Sequence, residues 1–134
     1  MCILRLLSKG VNFEKRRIVV GNRRMEAFIA DTPRKMTVGL MFRPFIKKNE
    51  CMLFIFPNDG MHPIWMRNMR FPIDIVWYDS KKRVVDCIEG AKPSRGLNFS
   101  SYKPQKPARY VIEFNAGFVK RNRIKRKDVA KFDA

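Results

Sequence analysis

A chain of 134 residues, 46% hydrophobic and 31% charged, is long enough to bury one core and too apolar for a disordered protein. Lys and Arg number 29 against 12 acids, a net charge of +17 that repels cationic macromolecules and draws polyanions. No apolar run approaches the roughly 20 residues of a membrane helix, and Arg5 interrupts the apolar start without a small-residue cleavage site after it. One soluble domain working in the cytoplasm, with no membrane partner, is the expectation.

In chain order, 17–20 is a β-branched run stopped by Gly21-Asn22, a two-residue turn signal, and 25–30 alternates as the second arm of a hairpin. Asp31 or Thr32 is placed to cap a helix over 33–42, with Pro33 in its first turn, where the missing N–H costs nothing. Met36, Leu40 and Phe45 supply its apolar stripe, Gly39 weakens it, and Arg43-Pro44 ends it, because the residue before a proline avoids the helical region. The continuous apolar run 51–56, closed by Pro57-Asn58-Asp59-Gly60, predicts a strand buried on both faces. Further strands are expected over 64–68, 73–78, 83–88 and 109–114. A looser segment covers 90–107, a helical turn falls near 116–122, and a last strand covers 129–132. Seven or eight short strands with one helix describe a mainly β sandwich or barrel.

Cys2, Cys51 and Cys87 form no CxxC pair, and with His62 as the lone histidine they make a poor zinc set. Buried, reduced thiols are expected, with no metal and no cofactor. There is no Gly-rich phosphate loop, GxSxG elbow or HExxH helix, so the residues lean away from an enzyme. The densest group of unusual residues runs from His62 to Asn68, with Asp74 six positions further on. In an alternating strand Trp65 and Arg67 share one side, where an Arg beside a Trp can hold an anion or stack a planar ligand. The plain alternative places Trp65 and Met66 in the core, Arg67 in solvent and Asn68 in a turn. Asp74 interrupts an apolar strand, and a buried carboxylate must be paired. Arg43, Arg67 and Arg70 are the available cations, so a structural ion pair is expected ahead of acid–base work.

The charge is uneven. Residues 1–24 hold seven basic groups against one acid, 119–134 hold seven against two, and the 94 residues between hold fifteen against nine. Lys15, Arg16 and Arg17 at one end, and Arg121, Arg123, Lys125, Arg126 and Lys127 at the other, are the candidate contacts to nucleic acid or another polyanion. They would act by phosphate neutralisation with little base readout.

Six blocks then fall in a familiar order: Asp31-Thr32-Pro33, Gly39-Leu40-Met41-Phe42-Arg43, Met52-Leu53-Phe54-Ile55-Phe56, Trp65-Met66-Arg67-Asn68, Pro72-Ile73-Asp74-Ile75, and Ala108-Arg109-Tyr110-Val111-Ile112-Glu113 followed by Asn115-Ala116-Gly117. Over about 17–132 the chain resembles the uncharacterised domain-of-unknown-function 192 family (UPF0127). The resemblance implies a mainly β domain of jelly-roll-like or barrel type and brings no established activity. It puts the family's hallmark positions on Arg43, Trp65, Met66, Arg67, Asn68, Asp74 and Asn115, which are expected to meet in one pocket. Relatives usually have Gly where this chain has Cys51, and often a Gly-Asp turn where it has Lys127-Asp128. Many bacterial relatives are exported, and that location is not expected here. The leading functional expectation is a non-enzymatic domain whose basic surface engages nucleic acid or another polyanion. The alternative is a small-molecule-binding or enzymatic pocket built from Arg43, Trp65, Arg67, Asn68 and Asp74.

Overall fold

The structure is a computed structural model that describes residues 8–94 and 101–134. Strands β1 (Lys15–Val20) and β2 (Arg23–Ala30) form the expected hairpin, with Val20 opposite Arg23. Gly21 supplies the positive φ (59°) that the two-residue turn requires. Of the two candidate caps, Thr32 starts α1 (Pro33–Val38), its Oγ1 accepting the Lys35 N–H at 3.2 Å. The helix stops four residues short of the expected end. At Gly39, with φ 47°, the chain turns away, and Phe45 of the supposed apolar stripe is 65% exposed.

Strand β3 (Glu50–Gly60) continues through the segment expected to be a turn. Its pairing with β8 (Ala108–Asn115) slips between Ile55 and Gly60, so Pro57, Asn58 and Asp59 lie in an exposed irregularity. There a missing N–H breaks no ladder bond. Strand β4 is only Ile64–Trp65, paired with β7 (Ser101–Tyr102), because the chain turns after Trp65 and Asn68 sits at φ 59°. The strands β5 (Ile73–Tyr78) and β6 (Val84–Ala91), the short helix α2 (Phe118–Arg121) and β9 (Ala130–Lys131) complete a mainly β chain.

Seven strands form one sheet in the order β6-β5-β8-β3-β2-β1-β9, antiparallel except for β2 beside β3. The central strands are apolar at successive positions because both of their faces are covered. On one face Ile29, Leu53, Val76 and Ile112 pack with Phe118, Val119, Ile124 and Phe132. On the other, Phe28, Phe54, Ile75 and Val111 pack with Leu40, Ile64 and Met66. The sheet curls until its edges meet at one end. Arg83 bridges Val129, the Val84 N–H donates to the Asp128 carbonyl at 2.8 Å, and the Ala130 N–H donates to the Lys82 carbonyl at 3.0 Å. No helix among the described residues is long and apolar enough to cross a membrane.

Asp74 is fully buried, but not in the ion pair expected of it. Its Oδ1 accepts the Gly90 N–H at 2.8 Å, and its Oδ2 accepts those of Gly117 at 3.1 Å and Val119 at 2.9 Å. Three backbone amides replace the arginine, which reconciles a carboxylate with an apolar strand at no further charge. Asp74→Asn puts an NH₂ group where an N–H already points and strands at least one buried donor. Urea unfolding should show a loss of roughly 2–4 kcal/mol, and a loss within experimental error of zero would show that these bonds do not hold the fold.

Candidate functional site

The second apolar face encloses a cavity of about 300 Å³. Met36, Gly39, Leu40 and Met41 of α1 and its exit form one wall, and Phe54 and Phe56 of β3 another. Ile64 and Trp65 of β4, then Arg67 and Met69, close the side, and Glu113 of β8 completes the lining. Gly39 of this wall holds a positive φ, and a side chain there would meet the Phe54 ring at 3.3 Å.

Glu113 stands opposite Met52 on one neighbouring strand and Ile75 on the other, both fully buried. It is only 4% exposed, and its carboxyl has no hydrogen-bonding or ionic partner among the described residues. Loss of water around it pushes its pKa up to about 8. At neutral pH the group is therefore predominantly a carboxylic acid, offering one O–H donor and a free acceptor to whatever fills the cavity. The lining also holds aromatic rings and thioethers; the Phe54 and Phe56 rings stack at 6.4 Å, and outside the lining the His62 ring lies 3.8 Å from that of Phe56. Apolar walls with one convergent polar group are the usual make-up of a small-ligand site.

Two of the seven residues expected to share a pocket line this cavity. Trp65 is 37% exposed at its rim, with the Arg67 guanidinium 5.6 Å from its ring. The other five are elsewhere. Met66 is core, and Asn68 holds the turn with its Nδ2 at 3.9 Å from the Met41 sulfur. Arg43 lies over the Phe28 ring at 4.3 Å and the Phe13 ring at 5.5 Å. Asn115 donates to the carbonyls of Ile46 at 3.1 Å and Lys47 at 3.2 Å. Asp74 faces the opposite side of the sheet, because strand alternation sends it the other way from Ile75. Glu113 escaped the sequence reading although its signal is that of Asp74, an acid inside an apolar strand.

The basic ends differ. Lys15 meets Glu50 at 3.4 Å, Arg16 meets Glu14 at 2.9 Å and Arg17 meets Glu26 at 3.5 Å, so the first triplet is neutralised locally. Arg121, Arg123, Lys125, Arg126 and Lys127 are exposed, and none is paired with an acid among the described residues. Cys51 is buried and its thiol is pushed far up by burial, which leaves the sulfur inert; half-buried Cys87 is pushed up for the same reason.

Curled sheet and cavity together define a small β domain with an apolar pocket around one buried acid. The family model of DUF192, "Uncharacterized ACR", matches residues 16–132, and the chain belongs to that family. It is 34% identical over 101 residues to a UPF0127 protein of Pyrococcus furiosus, covering 72% of this chain and 77% of that one. With the UPF0127 protein of Thermococcus gammatolerans it shares 32% identity over 110 residues, 78% of this chain and 65% of the longer relative, so it spans less than two thirds of that protein. The crystal structure of a Novosphingobium aromaticivorans protein of unknown function superposes with a TM-score of 0.84 at 25% identity, over 92% of this chain and 89% of that one.

The folded-state pKa of Glu113 lies above the ordinary carboxylate value of 4.5, so folding takes up a proton. The stability this group contributes is complete below about pH 4.5 and is lost as the pH rises to about 8. Glu113→Gln should therefore gain on the wild type by up to about 1.4 kcal/mol per pH unit across that window. Urea midpoints at pH 5 and pH 8 check this; a constant difference between the two proteins would mean that the carboxyl is not buried as described.

Proposed function

We propose that this domain binds a small, largely apolar molecule in the cavity and anchors it on Glu113. The observation that carries this reading is a buried carboxyl with no protein partner facing about 300 Å³ of space. A ligand hydrogen bond to such a group contributes roughly 0.5–1.5 kcal/mol net, and more when the partner is charged. Among the described residues Glu113 and Arg67 are the only charged ones of the lining, and a cavity with one acid and no second proton-transfer group among them suits binding better than catalysis. Amide NMR titration with a fragment library tests it. Hits should move the resonances of Gly39, Leu40 and Glu113 together and should be lost in Thr37→Trp, a bulky change at an exposed residue of the lining. Shifts scattered over the surface, or unchanged by Thr37→Trp, would overturn the proposal.

A second reading rests on the exposed, unpaired cations at 121–127. Ile124 is buried among them and anchors the segment, while Arg123 (φ 52°) and Lys127 (φ 70°) hold left-handed conformations that favour glycine. A tethered run of this kind suits contact with the phosphates of nucleic acid or another polyanion. If all five make such contacts, affinity for duplex DNA or RNA should fall roughly several hundredfold between 50 and 200 mM salt. It should collapse in Arg123→Glu/Lys125→Glu/Arg126→Glu, whereas Lys15→Ala/Arg17→Ala should change little. Fluorescence anisotropy decides it, and binding indifferent to salt or to the triple change would end it.

A further inference from the structure

We infer that the cavity is built for a primary ammonium on a short apolar tail, the cation seated against the Glu113 carboxylate; this rests on the small-ligand reading above. The argument begins with what surrounds the carboxyl. From β3 come Met52 and Phe54, and from β5 comes Ile75, none of them charged. Asp74, the one acid of β5, faces the far side of the sheet and accepts from three amides. From the α1 side come the glycine, leucine and methionines of the wall. Among the described residues the one cation of the lining, Arg67, lies against the Trp65 ring at the rim.

An anionic ligand would bring a negative charge beside a buried carboxyl that has no cation paired to it among the described residues, which the site disfavours. A neutral alcohol or amide could bond to the protonated acid but would leave it uncharged and gain only one ordinary hydrogen bond. An ammonium brings the missing counter-charge and up to three N–H donors into a low-dielectric space, where the pairing is far stronger than in water. The walls fit the same choice. Phe54 and Phe56 are apolar walls for the tail, and the thioethers of Met36, Met41 and Met69 are polarisable and adapt to a flexible alkyl chain.

Proton balance makes the inference measurable. The free acid is mostly protonated at pH 7, so seating an ammonium against it must expel that proton: a carboxylic acid and an alkylammonium become a carboxylate–ammonium pair plus one proton to the buffer. The experiment is isothermal titration of the full chain with n-hexylamine and with n-hexanol, in phosphate and in Tris, from pH 6 to 9. Hexylamine should bind at least tenfold more tightly than hexanol at pH 8 and release close to one proton at pH 6–7. Its affinity should rise up to about tenfold per pH unit until it levels near pH 8. Hexanol should release none and should weaken above pH 8. Glu113→Gln should bind hexylamine no more tightly than hexanol and should release no proton with either. Hexanol binding as tightly as hexylamine, or amine binding without proton release, overturns the cation while leaving the pocket reading intact. If neither probe binds, the pocket reading itself fails and the inference falls with it.

Discussion

Three backbone N–H groups converge on the two oxygens of Asp74, and the arrangement of the domain follows from where those amides come from. Gly90 lies near the end of β6, while Gly117 and Val119 open the turn that becomes α2. One side chain thus joins its own strand to a partner strand and to the chain's return across the sheet. Gly117 is held at φ 94°, a left-handed conformation that other side chains rarely adopt, so the turn that Asp74 grips needs glycine. With that turn set, Phe118 stacks on Phe114 at 4.0 Å and Val119 and Ile124 cap the face beneath. A Lys or Arg in place of the amides would carry a second charge to desolvate; the amides were already there.

The sheet carries one buried acid on each face, and the two make opposite use of the same chemistry. Asp74 has every oxygen committed, so its charge is absorbed by the fold. Glu113, on the neighbouring strand and one register position away, has apolar neighbours on both sides and space in front. Satisfaction, not burial, separates a structural carboxyl from a reactive or ligand-binding one, and here the separation runs through the thickness of a single sheet. The surface is sorted in the same manner. Cations on β1 are spent on neighbouring acids, and those beyond α2 face solvent.

Most of the strands were legible in the sequence because runs such as 51–56 and 109–114 leave the chain no other way to bury successive apolar side chains. The misjudged boundaries lie where one residue overrides the pattern. Gly39 ends a helix that the spacing of Met36 and Leu40 would prolong, and Pro57 is absorbed in a bulge instead of a turn. The candidate site was half legible. Trp65 and Arg67 stand out as an unusual pair and do reach the cavity, but Arg43, Asn68, Asp74 and Asn115 each spend their polar atoms or charge on the fold itself. Nothing local distinguishes a polar residue that binds a ligand from one that ties down a loop; that depends on partners far along the chain, 69 residues away for Asn115 and Ile46. Glu113 was hidden for a related reason, since an acid inside an apolar strand does not reveal which strands flank it or whether they bring it a partner.

The seam at Arg83 and Val129 has a bearing on how the chain comes off the ribosome. Six of the sheet's seven strands are complete by Asn115, yet β1 and the start of β6 acquire their last partners only when 127–131 arrive. Until then a growing chain holds two open strand edges and an uncapped apolar face, the features through which nascent β proteins pair with the wrong neighbour. The dense positive charge of 119–127 emerges just ahead of the closing strand. Its mutual repulsion between chains helps keep neighbouring copies apart during the interval in which the ring is still open.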